Sequence, residues 1–292
     1  MTKQKQWLIG LGIAFGVFFL IIVMVGYLAN RQNDDTLSLP SSGEKVGVIE
    51  LVGPIYESQR MVRQFEQMGK QRSIKAIVFR IDSPGGGVAA SQEIYEAVKR
   101  VRDSGKPVVA SFGSVAASGG YYVACGSDTI VANPGTTTGS IGVIAEFMSA
   151  SDLMKKIGIQ MQVIKSGRFK DTGGMHRELT DADKAYLQSW IDDAYDQFIH
   201  VVHAERNMPL PKVRQLADGR VYTGRQALEN GLIDIIGDYD AAIQVAAEMA
   251  GIEGEPDLVK IGKRNVSLFD LFFQQAEGVL RGLSHVSLKY SL

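Results

Sequence analysis

The chain has 292 residues, 45% of them hydrophobic, and a formal net charge of −1. That is enough apolar material for a sizeable core, and a charge too balanced for a nucleic-acid surface. Its single cysteine, Cys125, excludes an intrachain disulfide and a thiolate zinc cage, and within the apolar run Tyr122 to Cys125 it reads as a small packed side chain.

Residues 1–6 carry Lys3 and Lys5 and precede an uncharged, almost wholly apolar stretch over 7–29. That stretch exceeds the roughly 20 residues needed to cross a bilayer. Lys3 and Lys5 lie before it, and Asp34 and Asp35 follow soon after Arg31. The charge bias therefore puts the N-terminus in the cytoplasm and the bulk of the chain outside. The apolar run is longer than a secretory core, and Tyr27-Leu28-Ala29 is a poor cleavage site, so an uncleaved membrane anchor is expected. Residues 30–44 are polar, with Pro40, Ser41, Ser42 and Gly43, and read as a flexible tether.

The folded part is expected over 45–250. Val46 to Val52, Ala76 to Ile81, Val108 to Phe112, Thr129 to Ala132 and Gln160 to Ile164 read as strands. Ile94, Ala97, Val98 and Val101 mark one helix. A longer one follows the N-cap candidate Thr180 and should bury Leu187, Trp190, Ile191, Ala194, Phe198 and Val202. This alternation predicts an α/β domain with mainly parallel strands. Residues 251–292 form a distinct tail in which 266–283, capped by Ser267, reads as an amphipathic helix packing on a neighbour or the membrane surface.

Three segments carry chemistry. Ala116-Ala117-Ser118-Gly119-Gly120 follows the strand ending at Phe112 and opens a helix, so Ser118 sits on a strand-to-helix turn facing unpaired helix N–H groups. It is a nucleophile or a capping hydroxyl in a tight corner. Asp82-Ser83-Pro84-Gly85-Gly86-Gly87 also joins a strand to a helix, and its N–H groups suit an oxyanion or an ordinary turn; it lacks the fuller motif of a nucleotide site. A nucleophilic serine needs a base. His200 and His203 fall on the long helix, where a solvated face outweighs a metal pair, and His285 falls in the tail. His176 alone lies in a loop near glycines. Lys170, in Ser166-Gly167-Arg168-Phe169-Lys170, is the better candidate, provided burial beside apolar neighbours such as Phe169 lowers its pKa from about 10.4 toward 7 or 8, which costs roughly 4 kcal/mol. Otherwise it is a solvated loop charge.

Ala-Ser-Gly-Gly-Tyr-Tyr at 117–122, Asp-Ser-Pro-Gly-Gly-Gly at 82–87, Gly-Arg-Phe-Lys at 167–170 and Gly-Arg-Gln-Ala-Leu-Glu-Asn-Gly-Leu-Ile-Asp at 224–234 together resemble the signal peptide peptidase SppA family in its short, single-unit form. The resemblance covers about residues 45–251 and implies the repeated ββα core of the Clp protease and crotonase superfamily. It implies that Ser118 is the nucleophile and Lys170 the general base, that Gly85 and Gly119 donate to the oxyanion, and that Ser140 orients the lysine. It further implies cleavage of remnant signal peptides at the membrane, no cofactor and no metal, and a homo-oligomer whose sites draw serine and lysine from neighbouring chains. A related Ser/Lys protease acting on one membrane protein, and a non-catalytic peptide-binding scaffold of the same fold, are the alternatives.

Overall fold

A computed structural model describes residues 44–260 and 289–291. The anchor expected over 7–29, nearly all of the tether and the helix expected over 266–283 lie outside the described residues. Among the described residues, no helix is long and apolar enough to cross a membrane.

The chain opens with β1 (Lys45–Val52), α1 (Gln59–Lys70), β2 (Ile74–Ser83), the three-residue β3 (Gly85–Gly87), α2 (Val88–Asp103) and β4 (Val108–Ala117). The short α3 (Gly119–Ala124), β5 (Thr129–Ala132) and β6 (Thr137–Gly139) follow, then α4 (Ser151–Lys156) and the long α5 (Asp181–Glu205). After these come α6 (Leu210–Leu216), β7 (Val221–Thr223), α7 (Gly224–Asn230), β8 (Ile235–Ile236), α8 (Tyr239–Met249), β9 (Asp257–Lys260) and β10 (Lys289–Ser291). The main sheet runs β7-β6-β4-β2-β1-β9, with β5 beside β4 and β8 beside β5; β6–β7 is its antiparallel pair, and the others are parallel.

The central strands are apolar on both faces because both are covered. Val46, Val48, Ala76, Val78, Val109 and Val131 pack on one side with Ala242 and Ala246 of α8. Ile49, Leu51, Ile77, Phe79, Ile81, Ala110 and Phe112 pack on the other with residues of α1, α2, α3 and α5. Thr180 caps α5 through a reciprocal bond with Asp183. Leu187, Ala194, Phe198 and Val202 are buried as the periodicity predicts, whereas Trp190 and Ile191 are only half-buried.

Two features aim the end of β4. The strand changes partners part-way: Val109 to Ser111 pair with β5, but Val115 to Ala117 pair with β6. At the crossover, a Cβ on Gly113 would come 2.8 Å from the carboxyl carbon of Asp82, and Asp82 Oδ1 accepts from the Val115 N–H at 3.0 Å. The segment 224–234 then braces α3 from behind. A capping box at Thr223 and Gln226 starts α7, and Gly231, at φ +80°, ends it. The buried Tyr121 hydroxyl donates to the Leu232 carbonyl at 2.9 Å, while Asp234 accepts from the Ile130 N–H at 2.8 Å and pairs with Arg206 at 2.5 Å.

The expected strand over 160–164 does not form: residues 159–165 are exposed and pair with no strand among the described residues. Their alternation of Ile159, Met161 and Val163 is covered by nothing among the described residues.

Cys125 is buried at the end of α3, and burial pushes its thiol up to about 12. Thiolate is the reactive form, so the folded chain should leave Ellman's reagent unreacted at pH 8 and release about one equivalent of thiol only in denaturant. Rapid labelling of the native chain would contradict this packing.

Candidate active site

Ser118 sits between β4 and α3 at φ +52° and ψ −116°, a conformation that costs a non-glycine residue on the order of 1–3 kcal/mol. The surroundings impose it. The Ser118 N–H donates to the Gly139 carbonyl at 2.8 Å, and the Ser118 carbonyl accepts from the Tyr122 N–H at 2.8 Å. Its side chain caps nothing. Ser118 is fully buried, and its Oγ has no hydrogen-bond partner among the described residues. A buried hydroxyl left so costs about 1–3 kcal/mol. The elbow thus carries strain and an unused polar atom together, the combination found where structure is held for chemistry.

Opposite lies the glycine run. Gly85, at φ +101°, requires the absence of a side chain. The Gly85 carbonyl accepts from the Ile55 N–H, and the Gly87 N–H donates to the Ile55 carbonyl, both at 2.8 Å. Those bonds turn the N–H and C=O of Gly86 toward the opposite edge, where β10 pairs antiparallel with Tyr290 opposite Gly86. The Gly85 N–H donates to Ser83 Oγ at 3.2 Å. A Cβ on Gly119 would lie 2.6 Å from Ser91 Oγ and 3.1 Å from the Gly86 nitrogen, so the first turn of α3 rests directly on β3.

Ser140 is buried at φ +49°, one residue past the Ala117–Gly139 pair, and thus next to Ser118 across two strands. The fold therefore gathers Ser118, Gly85, Gly119 and Ser140 at one end of β4.

Of the two settings left open for Lys170, the structure shows the loop charge. It is exposed in a turn in which its N–H donates to the Gly167 carbonyl at 3.1 Å, and its ammonium has no hydrogen bond or ion pair among the described residues. Phe169 does not bury it. That ring stacks on Tyr186 at 5.0 Å and carries the Arg168 guanidinium 4.6 Å from its centroid. Among the described residues of one chain, Lys170 stays exposed. Of the histidines, His200 lies 3.1 Å from Asp196, His203 contacts the Met208 carbonyl at 2.6 Å, and His176 lies 3.6 Å from Asp171.

Sequence reading overlooks two groups here. One is Gly86, whose role as an edge donor depends on Ile55 closing the other side. The other is the chain of ion pairs among Asp171, Arg177 and Asp183, for which six-residue spacings on both sides of Arg177 are the only signal.

Chemically, a strained and unpartnered serine beside a glycine edge that accepts an antiparallel strand can bind a peptide backbone and attack it. Comparison with known proteins agrees. Residues 100–253 match the model of peptidase family S49, and residues 42–138 match that of the Clp protease. A Synechocystis sp. protein with the provisional name protease slr0021 is 45% identical over 222 residues, covering 76% of this chain and 79% of its own length. A protein of Enterococcus faecium provisionally named signal peptide peptidase SppA is 32% identical over 275 residues, 82% of this chain and 80% of that one. A Methanocaldococcus jannaschii protein provisionally named protease MJ0651 is 31% identical over 289 residues, 92% of each.

Proposed function

Because the chain belongs to peptidase family S49 and is a serine protease, we propose that it is a membrane-anchored endopeptidase that cleaves remnant signal peptides with a Ser118/Lys170 dyad. The observation that carries this reading is Ser118 itself, buried, strained and unpartnered beside a glycine edge.

A peptide substrate adds as a strand along Gly85–Gly87, as the chain's own Lys289–Ser291 does. Neutral Lys170 Nζ takes the Ser118 proton while Oγ bonds to the scissile carbonyl carbon, and the N–H groups of Gly85 and Gly119 hold the resulting oxyanion. Gly85 exchanges its bond to Ser83 Oγ for that contact. The C–N bond breaks as Lys170 returns the proton to the leaving amine. Lys170 then deprotonates a water that hydrolyses the ester, and Ser140 orients the lysine throughout.

The base comes from a neighbouring copy of the chain. One chain holds a buried hydroxyl and an exposed ammonium, each without a partner among the described residues. In the segment of the chain that precedes Lys170, the apolar side chains of Met148, Leu153, Ile157, Met161, Val163 and Ile164 stand exposed. Apolar exposure of that extent marks an interaction surface. A second copy that covers this segment together with the turn bearing Lys170 also removes water from the lysine and so desolvates it. The anchor proposed over 7–29 keeps the site on the outer side of the membrane, where signal peptides leave the bilayer.

Full-length enzyme in lipid vesicles tests the substrate. A synthetic peptide with a signal-peptide apolar core should be cleaved with kcat/KM at least about tenfold above that for a polar peptide of equal length, since each buried apolar side chain contributes roughly 1.5–3 kcal/mol. Equal rates would leave an S49 protease but reject signal peptides as its substrates.

A further inference from the structure

Lys170 is followed in the chain by a carboxylate, Asp171. That carboxylate is already occupied. Arg177 donates from Nη2 to Asp171 Oδ1 at 2.9 Å and from Nε to Oδ2 at 3.1 Å. Lys165 Nζ donates to Oδ1 at 2.5 Å, and His176 Nε2 lies 3.6 Å from Oδ2. Arg177 is held in turn by Asp183, whose Oδ2 accepts from Nη1 at 2.6 Å. Asp183 belongs to the capping box of α5 and also accepts from the Thr172 hydroxyl at 2.6 Å. The turn bearing Lys170 is thereby tied to the start of a 25-residue helix. The side chains of Asp171 and Asp183 are 11% and 3% exposed.

We infer that Arg177, assisted by Lys165, is a positioning residue that sequesters the Asp171 carboxylate and so keeps Lys170 free to act as a neutral base. The inference rests on Lys170 being that base. An opposite charge within about 4–6 Å favours the charged form of a titrating group by 1–3 pH units. An Asp171 released from Arg177 would hold Lys170 as an ammonium, and each unit lowers the neutral fraction tenfold at fixed pH. Arg177 and the lysine hold the Asp171 carboxyl well below the usual carboxylate range, and Arg177 and two threonines do the same for Asp183. Both carboxylates are therefore ionised and clasped at any pH where the base could be neutral.

The test is the pH profile of kcat/KM for the full-length, assembled enzyme. Because the base must lose its proton, the rate rises with pH through the Lys170 pKa. In Arg177→Ala that rise should move up by about one pH unit, with roughly tenfold lower activity at pH 7. Adding Asp171→Asn to Arg177→Ala should return the rise to its wild-type position, because no anion remains to pair with Lys170. Lys165→Met, which leaves the Arg177–Asp183 pair intact, should shift the profile in the same direction as Arg177→Ala, and serves should that variant not fold. A double variant as slow as Arg177→Ala at every pH, or an unmoved profile in both Arg177→Ala and Lys165→Met, would overturn the inference while leaving the dyad intact. Activity that survives Lys170→Ala would overturn the dyad first, and the inference with it.

Discussion

Ser118→Ala and Lys170→Ala should each reduce peptide hydrolysis by about 10⁴-fold or more, because loss of either partner of a nucleophile–base pair removes nearly all its catalysis. Stability should separate the two. Ser118→Ala deletes a hydroxyl that is buried without a partner among the described residues and caps no helix, so it should raise the unfolding free energy by about 1 kcal/mol. For a domain of this size that is roughly 2–4 °C in Tm. A capping or corner serine would give the opposite sign, since its loss costs about 0.5–2 kcal/mol. Lys170→Ala, at an exposed position without partners among the described residues, should leave Tm unchanged. Mixing the two inactive chains then locates the base. With serine and lysine supplied across a head-to-tail interface, random one-to-one oligomers place an intact pair in about a quarter of their sites and recover about that share of activity. If both groups act within one chain, the mixture stays inactive.

The legible parts of this fold were those governed by local periodicity. The runs from Val46, Ala76 and Val108 are strands because both their faces meet apolar neighbours, and Thr180 starts a helix because its hydroxyl and Asp183 satisfy each other's backbone groups. The strand-to-helix position of Ser118 followed from the same pattern. The alternation from Gln160 to Ile164 misled because period-two apolarity reports two faces in different surroundings, not a strand partner. In this chain the segment is exposed and pairs with no strand among the described residues. Sequence adjacency leaves burial of Lys170 by Phe169 open for a related reason, since it does not report where the ring packs, and here that ring stacks on Tyr186. The edge role of Gly86 was hidden because it is set by Ile55, from a different loop.

Gly119→Ala should lower kcat/KM by about 100-fold with the protein still folded, as expected when reacting groups are displaced by less than about 1 Å. The added methyl would sit 2.6 Å from Ser91 Oγ, 3.1 Å from the Gly86 nitrogen and 3.2 Å from the Gly85 Cα. The first contact is with a hydroxyl that can rotate away at the expense of its 2.9 Å bond to the Gly87 carbonyl. The other two are with backbone, and only separation of α3 from β3 relieves them. That separation moves the Gly119 N–H away from the Gly85 N–H, so the pair proposed to hold the oxyanion no longer converges, and the loss falls on kcat more than on KM. Ser91→Ala added to Gly119→Ala removes the hydroxyl contact and should recover only a minor part of the rate, because the backbone contacts remain. Gly135→Ala, where a Cβ meets nothing within 4 Å, should be silent. Full recovery by Ser91→Ala would show that the Ser91 hydroxyl, not the spacing between the two glycine segments, limits the site, and the oxyanion assignment to Gly85 and Gly119 would fall.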